Sequence, residues 1–204
     1  MGERVRHRRS DVVEHALSVL DRYGLADLSM RRLATDLGVQ PSALYHHFAS
    51  KQLLLAAVAD ELLARGRRDE RATEGEWDEL VAVVCGELRD AMLAYRDGAE
   101  LVAAVSAFGL GARRPADELE QILGAAGLAP AGARLAARTL LHFVFGHVAD
   151  EQTQLQASAS GAIDGLPQDS DFAVGLSIVI AGIRDLILRQ GNELPKNVSW
   201  VMGR

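Results

Sequence analysis

Residues 24–58 are GLADLSMRRLATDLGVQPSALYHHFASKQLLLAAV, and their spacing of apolar and helix-breaking residues predicts two short helices joined by a tight turn. Ser29 is placed to cap the first of them, and Leu33 lies on its buried side. Gly38 ends that helix. Pro41 suits the first position of the next helix because its missing N–H is not needed there. Two short helices in this arrangement are typical of a helix-turn-helix.

The rest of the chain also shows helical spacing. Ser50 is placed to cap a long amphipathic helix, and the chain beyond it reads as further helices separated by Gly or Pro, with no strand signal. Residues 170–190 are rich in Val and Ile, but their length and their apolar spacing favour a helix over a strand. The sequence predicts an all-α fold, with a three-helix helix-turn-helix domain ahead of a larger helical domain.

The predicted domain boundary lies at the start of the long amphipathic helix. Residues 1–51 form the predicted helix-turn-helix domain, and residues 52–204 form the second domain, with 52–68 as a connecting helix. Residues 192–204 contain a proline and few apolar side chains, so we expect an extended or disordered tail.

Charge is distributed unevenly between these parts. Residues 1–51 carry 8 Lys and Arg against 6 Asp and Glu, a balance of +2, and residues 52–204 carry 14 against 22, a balance of −8. The net charge of −6 argues against a protein that coats nucleic acid indiscriminately. Four arginines precede the first helix, at Arg4, Arg6, Arg8 and Arg9. Such an arm suits DNA phosphates or a minor groove, and a solvated terminus is the alternative.

The composition predicts the cellular compartment of the protein and argues against a membrane span and a redox site. No apolar run approaches the roughly 20 residues that a membrane span requires, and the basic N-terminus lacks an apolar leader. These features predict a cytoplasmic protein with no membrane partner. Cys85 is the single cysteine and has apolar neighbours, so we expect a buried thiol rather than a redox site.

The second helix of the predicted helix-turn-helix carries polar and aromatic groups on its outer side. With Leu33, Leu37 and Leu44 facing inward, the outward positions are those of Gln40, Ser42, Ala43, Tyr45, His46 and His47. Hydrogen-bonding groups contact base edges and phosphates in DNA, and methyl groups contact thymine. Tyr45 as a cover for the small core, and the histidines as ordinary surface residues, are the structural alternatives.

Residues 10–60 resemble the DNA-binding region of the Tet repressor family. The shared features are an alcohol before a basic residue in the second helix, a Gly-Val turn, Leu-Tyr-x-His in the third helix and a lysine that opens the fourth. The resemblance implies that Arg31 contacts bases and that Tyr45, His47 and Lys51 bind phosphates. His46 departs from the aromatic residue that some members carry. Taken together, the candidate DNA-binding residues are Ser29, Arg31, Gln40, Pro41, Ser42, Ala43, Tyr45, His46, His47 and Lys51.

A single recognition helix covers only a few base pairs, so tight operator binding predicts a homodimer on double-stranded DNA with paired half-sites. LLHFVFGHVADEQTQLQ, residues 140–156, and DFAVGLSIVIAGIRDLIL, residues 171–188, resemble helices of the tetracycline-responsive branch that form a four-helix dimer interface. The candidate interface residues are Leu140, Val144, Val148, Ile180 and Leu188. Burial of these residues in the core of one chain is the alternative.

A regulator of this kind encloses a small-molecule effector in a mostly apolar pocket, and the effector favours the conformation that does not bind DNA. The candidate lining residues are Leu62, Trp77, Val84, Met92, Phe108, His142 and Phe145. Each of them is also compatible with a plain core position. His147 with Asp150 or Glu151 could hold a metal-chelated ligand, and a solvated helix surface is the alternative reading.

Enzyme signatures are missing from the sequence. There is no His-Glu-x-x-His, no Glu-x-x-His pair, no Gly-x-Ser-x-Gly and no P-loop. We therefore predict a non-enzymatic, ligand-responsive repressor with no cofactor and no metal site. The competing hypotheses are a ligand-independent or activating DNA-binding regulator and, further away, a helical ligand-binding protein or enzyme.

Overall fold

The computed structural model describes residues 7–67, 75–162 and 170–190. Across these ranges the chain forms helices joined by short loops and contains no strand, which confirms the all-α prediction. The helices are α1 (Arg9–Tyr23), α2 (Met30–Asp36), α3 (Pro41–Tyr45), α4 (Lys51–Arg65), α5 (Trp77–Leu93), α6 (Gly98–Ala107), α7 (Arg114–Ala125), α8 (Pro130–Ala159) and α9 (Phe172–Gln190). The predicted tail at 192–204 lies outside the described residues.

Helices α1, α2 and α3 pack around a small apolar core. Leu17, Leu20, Leu33, Leu44 and Phe48 are almost completely buried there. Each leucine of this kind stabilises the fold by roughly 1.5–3 kcal/mol relative to an exposed one. The domain is small, so these few side chains hold α2 and α3 at their fixed angle.

Helix α3 is shorter than the sequence predicts. The sequence suggests two turns over 41–48, but the α-helix ends at Tyr45. The His47 N–H donates to the Leu44 carbonyl three residues back, so the chain tightens beyond Tyr45 instead of continuing as α-helix. This tightening accompanies the burial of Phe48 in the core.

Helix α4 connects the first three helices to the larger set. It packs against α1 on one side and against α5 and α6 on the other. It ends at Arg65, which is three residues before the predicted end of the connecting helix at residue 68, a residue outside the described ranges. Gly66 follows at a close approach to α5, where an added Cβ would lie 2.2 Å from the Cβ of Ala91.

Helix α8 is the central element of the larger set. It has 30 residues and contacts α5, α6, α7 and α9. Leu140, Val144 and Val148 on α8 are completely buried. None of the helices in the described ranges is both long and apolar enough to cross a lipid bilayer.

Candidate nucleic-acid interface

The turn between α2 and α3 is fixed by local hydrogen bonds. The Ser29 hydroxyl accepts the N–H of Arg32 at 3.2 Å and caps α2. Gly38 has a φ of 65°, a left-handed value that favours glycine, and the Val39 N–H returns to the Ala34 carbonyl at 2.9 Å. Pro41 is the first residue of α3, as predicted. The start of α3 is therefore held in one orientation relative to α2.

Two adjacent arginines on α2 have different environments. Arg32 stacks over the Tyr23 ring at 3.8 Å and donates to Asp27 at 2.7 Å, so its guanidinium is held against the domain. The Arg31 side chain is exposed and has no ion pair with the part of the chain that the structure describes. Arg31 is the arginine that is available to a partner.

The predicted DNA-binding residues of α3 lie together on its surface. Gln40, Pro41, Ser42, Tyr45, His46 and His47 are exposed, and Ala43 is half-buried. Leu44 faces the core. Lys51 is half-buried at the start of α4, where the Ser50 hydroxyl accepts the N–H of Leu53 and caps the helix. The structure thus brings the residues of α2, α3 and the α4 start onto one small domain.

His7, just before α1, and Arg9, the first residue of α1, contact residues on either side of α3. The His7 ring lies 3.1 Å from the carbonyl oxygen of Leu37, the residue that closes α2. Because a carbonyl only accepts hydrogen bonds, His7 Nε2 carries the proton of this bond. The Arg9 guanidinium covers the Phe48 ring at 4.7 Å. Sequence reasoning did not assign these contacts, because neither contact is local in the sequence.

A carboxylate at the turn between α5 and α6 joins the helix-turn-helix domain to α8. Asp97 Oδ2 accepts the backbone N–H of Leu25 at 2.8 Å, and Asp97 Oδ1 accepts the side-chain amide of Gln156 at 2.9 Å. Asp97 has a φ of 55°, a conformation that Asp and Asn tolerate better than most residues. An added Cβ on Gly24 would lie only 2.4 Å from Asp97 Oδ2, so glycine is needed beside this carboxylate.

The turn that carries Asp97 is itself held by a buried amide on α8. The Gln152 side chain accepts the N–H of Ala99 at 3.1 Å and donates to the carbonyls of Met92 and Tyr95 at 3.3 and 2.9 Å. Every polar atom of this amide is bonded, as a buried polar group requires. Gln152 and Asp97 were not predicted, and only the Gln-rich spacing at 152, 154 and 156 could have indicated a polar side of α8.

A second contact between the domains is an ion pair. Arg65 at the end of α4 pairs with Glu14 on α1 and with Glu61 one turn back. The hydrogen bond to Glu14 raises the pKa of Arg65 above its ordinary value, and the same contact lowers the pKa of Glu14. Both groups are solvent-exposed, so the pair orients α1 on α4 more than it stabilises the fold.

The predicted ligand-binding residues do not share one environment. Leu62, Val84 and Met92 are buried in the core, and Trp77 and Phe145 are half-buried. Phe108 is 72% exposed and His142 is also exposed on the single chain. A cavity of about 40 Å³ adjoins Val84 between α4, α5 and α7, which is room for about one water molecule.

The predicted dimer residues also differ in their exposure to solvent. Leu140, Val144 and Val148 are completely buried and Ile180 nearly so, which places them in the core of one chain. Leu188 is 73% exposed. Further exposed apolar residues on α8 and α9 are Leu135, Leu155, Val174, Ile178 and Leu186. On α9, Val174 and Ile178 lie opposite the buried residues, so the signal was a helix that is apolar on two sides.

The histidine considered for a chelated ligand belongs to the contact between α8 and α9. His147 Nε2 lies 3.2 Å from the Ser170 hydroxyl, and the His147 ring packs against Phe143 and Phe172. Glu151 is paired with Arg89, whose pKa this contact raises. No group of His, Cys, Asp and Glu in the described ranges has an arrangement that could hold a metal ion.

Two family models match this chain along most of its length. The model described as bacterial regulatory proteins, tetR family, matches residues 12–58, and the model described as tetracyclin repressor-like, C-terminal domain, matches residues 71–168. The class A tetracycline repressor protein from transposon 1721 of Escherichia coli is 31% identical over 199 residues, covering 87% of this chain and 92% of the relative. The chain belongs to the TetR family.

Solved structures agree with this TetR-family assignment. BioQ of Mycobacterium smegmatis is 42% identical with a TM-score of 0.81, covering 88% of this chain and 98% of BioQ. BioQ with its double-stranded DNA operator has a TM-score of 0.76 at 40% identity, covering 87% of this chain and 98% of BioQ. ActR of Streptomyces coelicolor in complex with (S)-DNPA has a TM-score of 0.71 at 29% identity, covering 89% of this chain and 98% of ActR. TetR-family proteins such as these relatives are transcriptional regulators rather than enzymes.

Proposed function

We propose that two copies of this chain bind a palindromic operator through α2 and α3, repress transcription there, and are released by a small lipophilic effector. The observation that carries the proposal is the row of exposed side chains on α3, set on a domain whose own core is complete without them. The operator complex of BioQ, at 40% identity, supports it.

Different residues of this surface have different roles in the proposed complex. Arg31 is unpaired within the described chain, and a free guanidinium can bind guanine O6 and N7 together. The exposed Tyr45 hydroxyl and the Lys51 ammonium are suited to phosphates, which fix the register of the protein on the duplex. The Ser29 hydroxyl accepts a helix N–H and keeps its own proton for a phosphate oxygen.

The start of α3 supplies the remaining contacts. Gln40 and Ser42 can donate to and accept from base edges, and Pro41 and Ala43 place apolar carbon atoms where a thymine methyl can pack. His46 and His47 complete the exposed row. We assign His47 to the phosphates and leave His46 as an additional contact at the groove edge.

A second copy of the chain supplies the second recognition helix. Val174, Ile178 and Leu188 follow the solvent side of α9, and Val174 and Ile178 are 62% and 68% exposed. Exposed apolar side chains in a row on one helix are typical of a surface that pairs with a partner. We assign the α8 and α9 surfaces of two copies to a four-helix contact, which sets the spacing between the two α3 helices.

Effector control requires a link from the larger domain to α3, and Asp97 supplies one. Its two hydrogen bonds join the Leu25 backbone in the helix-turn-helix domain to Gln156 on α8. An effector that moves α8 or the α5–α6 turn would therefore shift the helix-turn-helix domain directly. The ActR complex with (S)-DNPA shows that a relative takes a small molecule, which supports this assignment.

Selection from a pool of random duplexes tests the proposal. We expect the full-length protein to enrich one short palindrome, with affinity that falls as salt rises because phosphate contacts release counterions. The Arg31→Ala protein serves as the comparison and should enrich a relaxed sequence. Enrichment of no sequence, or of sequences with no symmetry, contradicts the proposal.

A further inference from the structure

Helix α3 is too short to hold its own orientation. It has five residues, Pro41–Tyr45, and Leu44 is the only one of them that is buried. Isolated helices below about 12–15 residues are marginal in water, so the position of such a helix is set by the contacts around it. The direction in which α3 points therefore depends on how the chain is held at Leu37 before it and at Phe48 after it.

We propose that His7 and Arg9 are positioning residues for DNA recognition, which hold the chain on either side of α3 without contacting DNA themselves. The inference rests on the proposed function, since it concerns the helix that reads the operator there. It assigns a role to two residues that the proposed DNA surface does not use.

His7 holds the chain before α3. Its Nε2 donates to the Leu37 carbonyl at 3.1 Å, and Leu37 is the residue that closes α2. The last carbonyls of a helix have no partner within the helix, so this bond satisfies a group that another donor would otherwise have to satisfy. Only three residues separate Leu37 from Pro41, the first residue of α3. A shift of Leu37 is therefore passed on to the start of α3.

Arg9 holds the chain after α3. Its guanidinium lies over the Phe48 ring, 4.7 Å from the ring centroid, and Phe48 is 2% exposed. The Phe48 N–H donates to the Leu44 carbonyl at 2.9 Å, so the ring that Arg9 covers is tied to the last turn of α3. A cation over an aromatic face is attracted to the ring, and this attraction keeps Phe48 in place against α1.

The start of α1 is a firm base for both contacts. Val12, Val13 and Ala16 follow Arg9 within about two turns and are buried in the core. Helix α3 is about 7.5 Å long at 1.5 Å per residue, and two residues of chain span at most about 7 Å. The backbone distance between His7 and Arg9 is thus close to the length of α3, so one short segment can hold the chain on both sides of it.

The test compares two affinities of the full-length protein, one for the palindrome that it selects and one for a duplex of random sequence; we call their quotient the specificity ratio. Misplacing α3 removes base contacts and leaves the phosphate contacts that dominate non-specific binding. His7→Ala and Arg9→Ala should therefore each lower the specificity ratio by about threefold to tenfold, the range of one hydrogen bond or cation–π contact. Random-duplex affinity and the slope of log affinity against log salt should stay unchanged.

A rescue variant and a matched control separate positioning from charge and from stability. His7→Gln retains a side-chain donor for the Leu37 carbonyl and should restore the specificity ratio to within about twofold of the natural chain. Arg22→Ala removes one exposed positive charge from the other end of α1, 13 residues or about 20 Å along the helix from Arg9, and should leave the ratio unchanged. Circular dichroism at the assay temperature should show the same helicity in every variant.

The outcomes distinguish this inference from the proposed function. A fall of about 0.9 in the salt slope for Arg9→Ala, with weaker random-duplex binding, would show that Arg9 binds a phosphate, and the inference is then wrong. It is also wrong if both alanine variants keep the specificity ratio, if His7→Gln does not restore it, or if the ratio falls only in proportion to lost helicity. In each of these cases the proposed function stands. If the natural chain selects no palindrome, the proposed function itself fails.

Discussion

Arg31 and Arg32 are neighbours in the sequence and have opposite roles in the structure. Arg32 is fixed by the Tyr23 ring and by Asp27, whereas Arg31 is exposed and unpaired within the described chain. The resemblance to the Tet repressor family implied Arg31 as the base contact, and its exposed side chain is compatible with that role. It also makes Arg32 a control that differs by one position.

Arg31→Ala should reduce affinity for the selected operator by about tenfold or more and change the preferred base, because a lost bidentate contact costs about 1–3 kcal/mol. The melting temperature should stay unchanged. Arg32→Ala should instead lower the melting temperature by roughly 2–4 °C, as a cation–π contact of about 1 kcal/mol is lost. Fluorescence anisotropy with labelled duplex and thermal melting by circular dichroism measure both. A lower melting temperature with Arg31→Ala, together with a changed base preference with Arg32→Ala, would contradict these two roles.

Tyr45 and Lys51 test the phosphate contacts. Lys51→Ala should weaken binding to every duplex by a similar factor and lower the salt slope by about 0.9. Tyr45→Phe removes only the hydroxyl and should weaken binding without a change of preferred sequence. Tyr23→Phe, on a ring covered by Arg32, is the matched control and should leave affinity unchanged. A change in base preference with Lys51→Ala would show that it reads bases instead.

Cys85 reports on the larger domain. Burial raises the pKa of this thiol from 9.0 to about 12. The thiolate is therefore favoured in the unfolded chain, so this group stabilises the fold fully below about pH 9 and progressively less as pH rises towards 12. Alkylation by iodoacetamide should be slow in the native protein and fast in denaturant, where the same thiol is exposed. Rapid labelling under native conditions contradicts the burial of Cys85.

At the scale of elements, α8 has two structural roles. Its apolar residues fill the core, and its glutamines hold the α5–α6 turn, through which Asp97 reaches the helix-turn-helix domain. A parallel contact exists at α4, where Asp60 accepts the backbone N–H of Ala112 at 2.7 Å. Asp97 and Asp60 therefore each accept a backbone N–H from a different part of the chain. A variant of one carboxylate serves as the control for a variant of the other.

Asp97→Asn retains one oxygen and the left-handed backbone but replaces the other acceptor with a donor. We expect hydrogen exchange at the Leu25 amide to speed up by about tenfold or more, since a bond to a charged group contributes about 1.5–3 kcal/mol. Asp60→Asn should speed exchange at Ala112 and leave Leu25 unchanged. Exchange is measured by NMR or by mass spectrometry of the peptides that carry these amides. Unchanged protection at Leu25 in Asp97→Asn contradicts the bridge.

The helices themselves were largely predictable from the sequence. Capping residues such as Ser29 and Ser50, and helix breakers such as Gly24 and Gly38, act locally, so the predicted helices recur in the structure with small shifts of their ends. The predicted helix at 170–190 corresponds to Phe172–Gln190. Only the end of α3 differed in kind, because it depends on the tertiary burial of Phe48.

Which side of a helix faces inward was less predictable. Helices α8 and α9 carry apolar residues on more than one side, so spacing alone did not separate the core from a partner surface. Val144 was therefore assigned to the dimer interface and is buried within one chain, whereas Ile178 on α9 is exposed. Phe108 illustrates the same limit, since it was assigned to a pocket and is exposed directly after the last residue of α6.

At the scale of the whole molecule, the proposed operator complex requires two copies. One α3 contacts a few base pairs, whereas half-sites roughly 34–36 Å apart, or multiples of that spacing, need two helices at a fixed separation. The charge pattern agrees, with the positive balance in residues 1–51 and the acidic balance in the remainder.

Ile178→Glu places a charge in the proposed contact and should convert the dimer to monomer, because an unpaired charge in an apolar interface costs several kcal/mol. Operator affinity should fall with it, while helicity stays the same. Gln121→Glu adds the same charge on the exposed side of α7 and serves as the control. Sedimentation velocity measures the mass. A dimeric Ile178→Glu protein rules out this face.

Hydroxyl-radical footprinting on the selected duplex tests the paired recognition helices most directly. The account predicts two protected segments related by two-fold symmetry, centred about one helical turn or a multiple of it apart, with two chains bound per duplex. Protection of a single segment by one chain, or protection with no fixed position, would contradict it.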